Sequence, residues 1–376
     1  MVYLDNAATT QVCPEAAQAA LEAMTVNYGN PSSTHSLGRQ AKKILDDSRT
    51  NVAKALGCDS AQLYFTSCGS ESDNWAIING AGYSRAGRHI ITSKAEHDAV
   101  LKSATYMEGR GWEVAYLSPD AGGSVSVDAV LGALREDTAL ISLMLVNNET
   151  GAVTDIAGIA RAVREAGSRA LIHTDAVQAF MKVPFSAKTL GADMISISGH
   201  KIHAPKGIGA LYIRRGLNLP PYIHGGAQES GKRAGTEPLP QIAAFGAAAR
   251  VAMENMEQSA AHMSRLRQYA AQRLTAENEG LLIIGGGAPH ILSFSMPGYR
   301  SEVMMNFLEA RDIFVSKSSA CKKGGRSHVL EAVGLKSTVI DSAIRVSLSR
   351  FTTQADIDAL CDGVKAARGS LRTSLR

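Results

Sequence analysis

The stretch Thr138–Asp175, "TALISLMLVNNETGAVTDIAGIARAVREAGSRALIHTD", contains a complete strand–helix–strand unit. An apolar run opens it, helical periodicity follows at "DIAGIARAVREAG", and a second apolar run, "ALIHTD", ends it. Short apolar runs that alternate with amphipathic helices are typical of a parallel sheet with helices on both faces. The same alternation extends outward through "QLYFTS", "HIITS", "WEVAYLS" and "ADMISIS". The sequence therefore predicts an α/β fold with a mostly parallel sheet.

The carboxyl-terminal part of the chain has a different pattern. A long helical stretch reaches about Leu274, and the strand-like runs "LLIIG", "HILSFSM", "DIFVS" and "AIRVSLS" follow, with helical segments between and after them. This order predicts a smaller α+β domain. We expect the boundary near Glu254 to Glu257, inside one continuous helix.

Composition limits the classes of partner. The chain has 376 residues, 45% of them hydrophobic, which is enough for two domains with real cores. A net charge of +4 spread along the chain does not favour nucleic acid or an anionic membrane surface as a partner.

The start "MVYLDNAATT" lacks a signal-peptide pattern and the longest apolar runs are strand-sized, so we expect a cytoplasmic protein. The five cysteines include no C-x-x-C pair, which disfavours a disulfide framework or a cysteine-rich metal site, and no metal is predicted.

Polar residues follow several of the predicted strands, where ligands of parallel α/β sheets usually bind. In "FTSCGSESDN" a strand leads into a helix, so the amides of Gly69 and Ser70 suit an anion such as phosphate, or they form an ordinary helix N-cap. His97 lies at the next strand end and is either structural or an acid–base group. Asn147 and Asn148 are either site amides or turn residues.

Asp175 and Lys201 are the most demanding of these residues chemically. Asp175 follows a buried strand, where an unpaired carboxylate is costly, and Lys201 follows another in "SISGHKIHAPKGIG". A surface lysine, or an ion pair between the two, is the simpler reading. Pyridoxal phosphate accounts for both, because its aldehyde forms a Schiff base with a lysine and its pyridine nitrogen pairs with a carboxylate. Donors for its phosphate are then available at Gly69, Ser70, Ser198 and His200.

The ordered motifs resemble a known enzyme family across nearly the whole chain. The chain is similar to the cysteine desulfurases that supply iron–sulfur cluster assembly and tRNA thiolation, which belong to the class V aminotransferase group of fold-type I pyridoxal-phosphate enzymes. The resemblance implies a homodimer, a large cofactor domain over 13–256, and a small domain formed by 1–12 and 257–376. The motifs that carry it are "YLDNAATT", "GNPSSTHSLGR", "TSCGSESDN", "SKAEH", "VNNETG", "HTDAVQ", "SGHK", "PKGIGALY", "RAGTEP", "SSAC" and "IRVSLSRFTT".

The resemblance also implies roles for residues at matching positions. Lys201 is expected as the Schiff-base lysine, Asp175 as the pyridinium partner, and His97 as the acid–base group stacked on the ring. Arg345 is expected to clamp the substrate carboxylate, which agrees with the bidentate geometry of a guanidinium. The other implied ligands are Gly69, Ser70, Ser198 and His200 at the phosphate, Thr236 at the phosphate from the other subunit, and Asn148 and Gln178 near the phenolic oxygen, with Asn148 also near the substrate.

By the same resemblance Cys321 is the nucleophile that accepts sulfur. Its loop, "SKSSACKKGGRSH", contains glycines and cations, and the cations favour a thiolate. The loop is slightly shorter than in the cluster-assembly desulfurases, and Lys322, Lys323 and Arg326 replace small neutral residues there. Cys68 stands where the family more often has glycine.

The predicted reaction is removal of sulfur from L-cysteine, which yields L-alanine and a persulfide on Cys321. The persulfide sulfur then passes to an acceptor protein, either a cluster scaffold or a tRNA-thiolation protein. Selenocysteine lyase or another class V enzyme is the nearest alternative. A non-catalytic scaffold of the same fold is an alternative from a different class.

Overall fold

The computed structural model describes residues 1–317 and 325–373. The strands formed by these residues are numbered in chain order. They are β1 (Val2–Tyr3), β2 (Leu63–Thr66), β3 (His89–Ser93), β4 (Glu113–Leu117), β5 (Thr138–Ser142), β6 (Leu171–Asp175), β7 (Met194–Ser198), β8 (Gly209–Ile213), β9 (Leu282–Ile284), β10 (Ile291–Ser295), β11 (Ile313–Phe314), β12 (Ser316–Lys317) and β13 (Ala343–Ser347).

The helices are also numbered in chain order. They are α1 (Pro14–Thr25), α2 (Ser36–Leu56), α3 (Gly69–Asn74), α4 (Gly80–Tyr83), α5 (Asp98–Glu108), α6 (Val127–Ala133), α7 (Ile156–Glu165), α8 (Ala187–Leu190), α9 (Leu239–Glu254), α10 (Met256–Glu277), α11 (Ser301–Glu309), α12 (His328–Ala332), α13 (Ser337–Ile340) and α14 (Gln354–Ser370). A π-helical stretch, Trp75–Asn79, joins α3 to α4. Within the described ranges, no helix is both long and apolar enough to cross a membrane.

Seven strands form the large sheet, in the spatial order β2, β8, β7, β6, β5, β3, β4. All of them run in one direction except β8, which is antiparallel to both of its neighbours. Every residue of β3, β5, β6, β7 and β8 is buried, as expected for a sheet covered on both faces. The predicted α/β fold with a mostly parallel sheet is confirmed.

Helix α2 shows how the large sheet is covered. Its apolar positions, among them Ala41, Leu45 and Val52, are buried in the main core, where α2 packs against α9. Gly57 ends the helix in the left-handed conformation, with φ 73°, and its amide donates to the carbonyls of the last turn. Glycine suits this position because it carries no Cβ that would oppose a positive φ. The other face of the sheet has a smaller core around Trp75, Ile90, Leu140 and Met194.

A second, antiparallel sheet has the order β12, β13, β10, β9 and its own apolar core with α10, α11 and α14. The amino-terminal arm joins this part of the molecule, because β1 pairs in parallel with β11 and Leu4 is fully buried in the second core. The division into 13–256 and a domain of 1–12 with 257–376 stays a prediction.

The prediction of one continuous helix across Glu254–Glu257 is wrong. Helix α9 ends at Glu254 and α10 begins at Met256, and Asn255 between them has φ −119° and ψ 12°. The Asn255 amide group donates to the Val251 carbonyl at 2.8 Å, which is the acceptor that a continuing helix would offer to the Asn255 backbone N–H. An asparagine side chain that competes for a helical carbonyl in this way favours a break.

Candidate active site

A cavity of about 350 Å³ lies at the carboxyl ends of the central strands of the large sheet. Residues that follow β2, β3, β5, β6 and β7 form one side, and residues from α12 and β13 form the other. The predicted site residues that line it are Gly69, Ser70, His97, Asn148, Asp175, Gln178, Ser198, His200, Lys201 and Arg345. Topology explains this convergence, since the carboxyl ends of parallel strands meet at one edge of a sheet.

Asp175 ends β6 and is almost completely buried. Its Oδ1 accepts a hydrogen bond from the Val177 amide at 2.8 Å. Burial raises the pKa of the Asp175 carboxyl, whereas the nearby positive charges of His97 and Lys201 lower it. A buried carboxylate in this position is stabilised by any further cation that the cavity holds.

Lys201 lies in the short helical turn that follows β7. Its amine donates to the carbonyl of Ala7 at 2.5 Å and to that of Ala8 at 2.8 Å. Both carbonyls belong to the amino-terminal arm, which therefore forms part of the cavity wall. The sequence predicted the lysine but not these acceptors, which are more than 190 residues away along the chain.

One end of the cavity suits an anion. The Ser198 hydroxyl is buried, and within the part of the chain that the structure describes it has no hydrogen-bond partner. Gly69 begins α3, and a Cβ added to Gly69 would lie 2.7 Å from a methyl of Val177, so a larger residue there would have to displace the Val177 side chain. Burial lowers the pKa of His200 to about 4, which makes its imidazole neutral at neutral pH. Backbone amides at a helix start together with hydroxyl donors are what a phosphate group binds.

The polar groups between the anion end and Lys201 have defined orientations. His97 Nδ1 accepts from the Ala99 amide at 3.1 Å, which makes His97 the N-cap of α5. Gln178 donates to the Ala7 carbonyl at 2.9 Å. Asn148 lines the cavity, whereas Asn147 accepts from the amides of the following turn. The structure therefore makes Asn147 a turn residue and Asn148 a cavity residue.

Arg345 faces the cavity from the second sheet. It lies in β13, is only 2% exposed, and pairs with Asp5 through Nη2 and Oδ1 at 2.9 Å. Its Nη1 donates to the Asn148 carbonyl at 3.0 Å. Its Nε is buried, and the residues that the structure describes provide no acceptor for it. A donor left without a partner at a cavity wall is suited to a ligand carboxylate.

Two predicted site residues are not brought to this cavity by the described chain. Thr236 is exposed and does not line it, and its role at another subunit's phosphate site stays a prediction. Cys321 lies outside the described residues, as do Lys322 and Lys323. Arg326 does line the cavity and forms a two-point ion pair with Asp341, at 2.7 and 2.8 Å.

The other cysteines fall into two groups. Cys13 and Cys361 are buried, and Cys58 is partly buried. Burial raises the pKa of Cys13, and it raises the pKa of both Cys58 and Cys361 to about 12, which makes these three thiols poor nucleophiles. Cys68 differs because it lines the cavity beside Gly69.

Sequence reasoning did not identify two buried acids of the cavity wall. Burial raises the pKa of Glu96 to about 8 and that of Glu149 to about 7. Glu96 accepts from the Met144 amide at 3.1 Å, and Glu149 accepts from the Ser327 hydroxyl. His328 Nε2 donates to the backbone carbonyl of Glu96 at 3.0 Å. Glu96 lies in the strand-end motif "SKAEH" and Glu149 in "VNNETG". This position at a strand end is the sequence feature that could have identified the two acids.

The profile of the family described as aminotransferase class-V matches residues 2–360. The chain belongs to the class V aminotransferase family. Among its relatives in this family is "Cysteine desulfurase IscS" of Methanosarcina thermophila, 42% identical over 383 residues that cover 99% of this chain and 93% of the relative. "Cysteine desulfurase" of Trichormus azollae is 42% identical over 367 residues, which cover 96% of this chain and 91% of the relative.

Solved structures similar to this chain have the same fold. A "NifS-like protein" superposes with a TM-score of 0.93 at 36% identity, over 98% of this chain and 100% of that chain. A structure titled "SspA in complex with cysteine" gives a TM-score of 0.80 at 32% identity, over 94% of this chain and 100% of that chain. The fold-type I architecture predicted from the sequence is confirmed by these structures.

Proposed function

We propose that this protein is a pyridoxal-phosphate-dependent cysteine desulfurase, which removes sulfur from L-cysteine and releases L-alanine. The observation that carries the proposal is the presence in one cavity of the Lys201 amine, the buried Asp175 carboxylate and the Arg345 guanidinium with its unpartnered Nε. The full-length relatives named cysteine desulfurase support the same activity. They do not favour selenocysteine lyase, another class V reaction or a non-catalytic scaffold.

The cavity residues fit pyridoxal phosphate at three separate points. The buried Ser198 hydroxyl, with the start of α3, would hold the phosphate, and Asp175 would pair with the pyridine nitrogen. Lys201 would hold the aldehyde carbon covalently. When bound, the cofactor would supply an electron sink for the amino acid substrate. The remaining proposed cofactor residues are Gly69, Ser70, His97, Asn148, Gln178, His200 and, across the subunit boundary, Thr236.

The chain's own residues would orient the substrate and move its protons. Arg345 would bind the α-carboxylate of L-cysteine, because its guanidinium is fixed by Asp5 and by the Asn148 carbonyl and its Nε has no acceptor among the described residues. The Lys201 amine, when it is free and unprotonated, would take up the α-proton of the substrate. His97, held as an N-cap through Nδ1, has its other ring nitrogen for proton transfer.

Cys321 would accept the sulfur. Its thiolate would attack the sulfur of L-cysteine, so that a sulfur–sulfur bond forms as the carbon–sulfur bond breaks. The carbon takes up a proton and leaves as part of L-alanine, and the chain keeps a cysteine persulfide. The reaction balances without an external oxidant or reductant, since one thiol and one cysteine give one persulfide and one alanine.

Several features of the assembly belong to the same proposal. We expect a homodimer in which each subunit supplies Thr236 to its partner's phosphate site. A large domain of 13–256 and a small domain of 1–12 with 257–376 would contribute the two walls of the cavity. The persulfide would pass to an acceptor protein, and a reducing compartment such as the cytoplasm suits a reaction that needs a free thiolate.

The test measures alanine and protein-bound sulfur after L-cysteine is added to the purified protein. We expect equal amounts of the two in the first turnover, and we expect Cys321→Ser to lower alanine formation by at least about 100-fold. Cys58→Ser is the matched control and should stay within about twofold of the wild type. Full alanine production by Cys321→Ser would contradict the role of this cysteine. A wild-type protein that releases no alanine would contradict the proposed activity.

A further inference from the structure

Lys182 is a buried amine that the proposed reaction does not use. It is 6% exposed and follows Met181, whose φ of 57° lies in the left-handed region. Lysine is rarely buried in this way, because removing an ammonium group from water is costly. A buried lysine is therefore kept for a reason other than surface solubility.

A short series of polar contacts connects Lys182 to Lys201. The Lys182 amine lies 3.5 Å from Gln178 Oε1, and Gln178 Nε2 donates to the Ala7 carbonyl at 2.9 Å. The same Ala7 carbonyl accepts from the Lys201 amine at 2.5 Å. Gln178 and Ala7 thus lie between the two lysines, and a change of charge at one lysine acts on groups that bind the other.

The two lysines also line one small cavity of about 30 Å³, and Lys201 lines the main cavity as well. This volume is enough for a water molecule. Ser259 and Arg350 line both this cavity and an open groove next to it. Lys182 and Lys201 are therefore linked through a shared cavity as well as through Gln178 and Ala7.

The surroundings of Lys182 make its charge sensitive to pH. Burial lowers the pKa of Lys182 to about 7, and the positive charges of Lys201 and Arg345 act in the same direction. The charge of Lys182 in turn contributes to the lowered pKa values of three neighbouring histidines. The titratable or charged groups around it are Lys201, Arg345, Arg350, His200, His203 and His290.

We infer that Lys182 is a positioning residue for Lys201. The charge state of Lys182 controls how readily the Lys201 amine holds a proton. With Lys182 charged, Lys201 loses its proton more easily, because two like charges in a buried region repel each other. With Lys182 neutral, Lys201 holds its proton more tightly. The inference deepens the proposed function and rests on it for the meaning of Lys201, since only an unprotonated amine can attack an aldehyde or accept a proton.

The test compares a variant that has a permanent positive charge at position 182 with a variant that has no charge there. Lys182→Arg fixes the charge and Lys182→Met removes it, and Lys188→Met, at an exposed lysine, is the control. The full-length protein is stripped of cofactor and labelled with acetic anhydride over a range of pH, and labelling of Lys201 is followed by mass spectrometry. We expect the labelling midpoint of Lys182→Arg to lie about one pH unit below that of Lys182→Met. The wild type should follow the arginine variant at acidic pH and the methionine variant at alkaline pH.

Equal midpoints in the arginine and methionine variants would overturn the inference. The wild type and the Lys188→Met control should give the same labelling curve. If that curve follows only one of the two Lys182 variants over the whole pH range, the inference is overturned as well. If Lys182→Met does not fold, as judged by circular dichroism, Lys182→Gln is a neutral replacement that keeps a polar end toward Gln178. Labelling needs neither cofactor nor L-cysteine, so failure of this test is distinct from failure to form alanine.

Discussion

At the scale of a single residue, Asp175 carries a carboxyl group whose charged form is disfavoured by its burial. Because burial raises its pKa, the folded protein without cofactor loses stability as pH rises through that raised value. A cation bound against the carboxylate would restore the lost stability. Under the proposed function, Asp175 serves cofactor binding and reactivity more than the stability of the fold.

We predict that Asp175→Asn makes the cofactor-free protein at least as stable as the wild type at neutral pH, because the variant removes a buried charge. The same variant should lose about 100-fold or more of its alanine production, since a neutral amide cannot keep a pyridine nitrogen protonated. Thermal denaturation with and without pyridoxal phosphate gives the first quantity, and alanine release gives the second. Asp155→Asn, at the N-cap of α7 outside the cavity, is the control. Near-normal alanine production by Asp175→Asn would exclude the proposed role.

The sequence could predict Asp175 and Lys201 because each is chemically costly at the end of an apolar run. It could not predict the acceptors of the Lys201 amine, because Ala7 and Ala8 are recognised only through their backbone carbonyls. Lys182 was not predicted either. Its stretch, "QAFMKVPF", is compatible with a lysine at the surface, and only the packed structure shows that its amine is buried.

At the scale of elements, local periodicity was enough to predict the strands of the large sheet, since they are short apolar runs bounded by polar or turn residues, and β3, β5, β6, β7 and β8 are buried throughout. The direction of β8 was not predictable in this way. An apolar run such as "ALYI" has the same pattern whether its strand is parallel or antiparallel, and the direction depends on the connection from Lys201 to Gly209. The break at Asn255 depends on one side-chain hydrogen bond, which helical periodicity does not reveal.

Glu229 connects helix α2 to strand β2 of the large sheet. It is 7% exposed, with φ 46°, and its carboxylate accepts from Arg49 of α2 at 2.6 Å through both oxygens. The same carboxylate accepts from the Phe65 amide in β2 at 2.8 Å. This arrangement fixes α2 against the edge of the sheet, and all three bonds depend on a charged acceptor.

We predict that Glu229→Gln lowers the free energy of unfolding by about 3 kcal/mol, because it leaves the Arg49 guanidinium without its charged partner in a mostly buried position. Asp46→Asn is a matched control, since the Lys42–Asp46 pair on the same helix has both side chains 53% exposed. The control should change the free energy by less than about 0.5 kcal/mol. Denaturant titrations of the two variants measure the difference, and equal values would contradict the structural role given to Glu229.

At the scale of the whole molecule, helix α1 and the residues just after it expose several large apolar side chains on the surface. Leu21 and Met24 on α1 are 49% and 56% exposed, and Val26 and Tyr28 just after it are 64% and 66% exposed. Clustered apolar exposure of this kind is typical of a surface that another protein covers. The proposed homodimer gives that surface an occupant, a second copy of this chain.

We predict that the double variant Met24→Asp/Val26→Asp is monomeric while the wild type is dimeric, because two carboxylates at a covered apolar surface would be desolvated without partners. The control is Val303→Asp/Leu282→Asp, whose positions are 43% and 45% exposed in the second part of the chain. Light scattering coupled to size-exclusion chromatography gives the mass of each. The monomer should also bind pyridoxal phosphate more weakly, since Thr236 would no longer reach a partner's phosphate site, and equilibrium dialysis measures that loss. A wild type with the mass of one chain would contradict the homodimer. A double variant that stays dimeric and keeps its affinity would show that the subunits meet through a different surface.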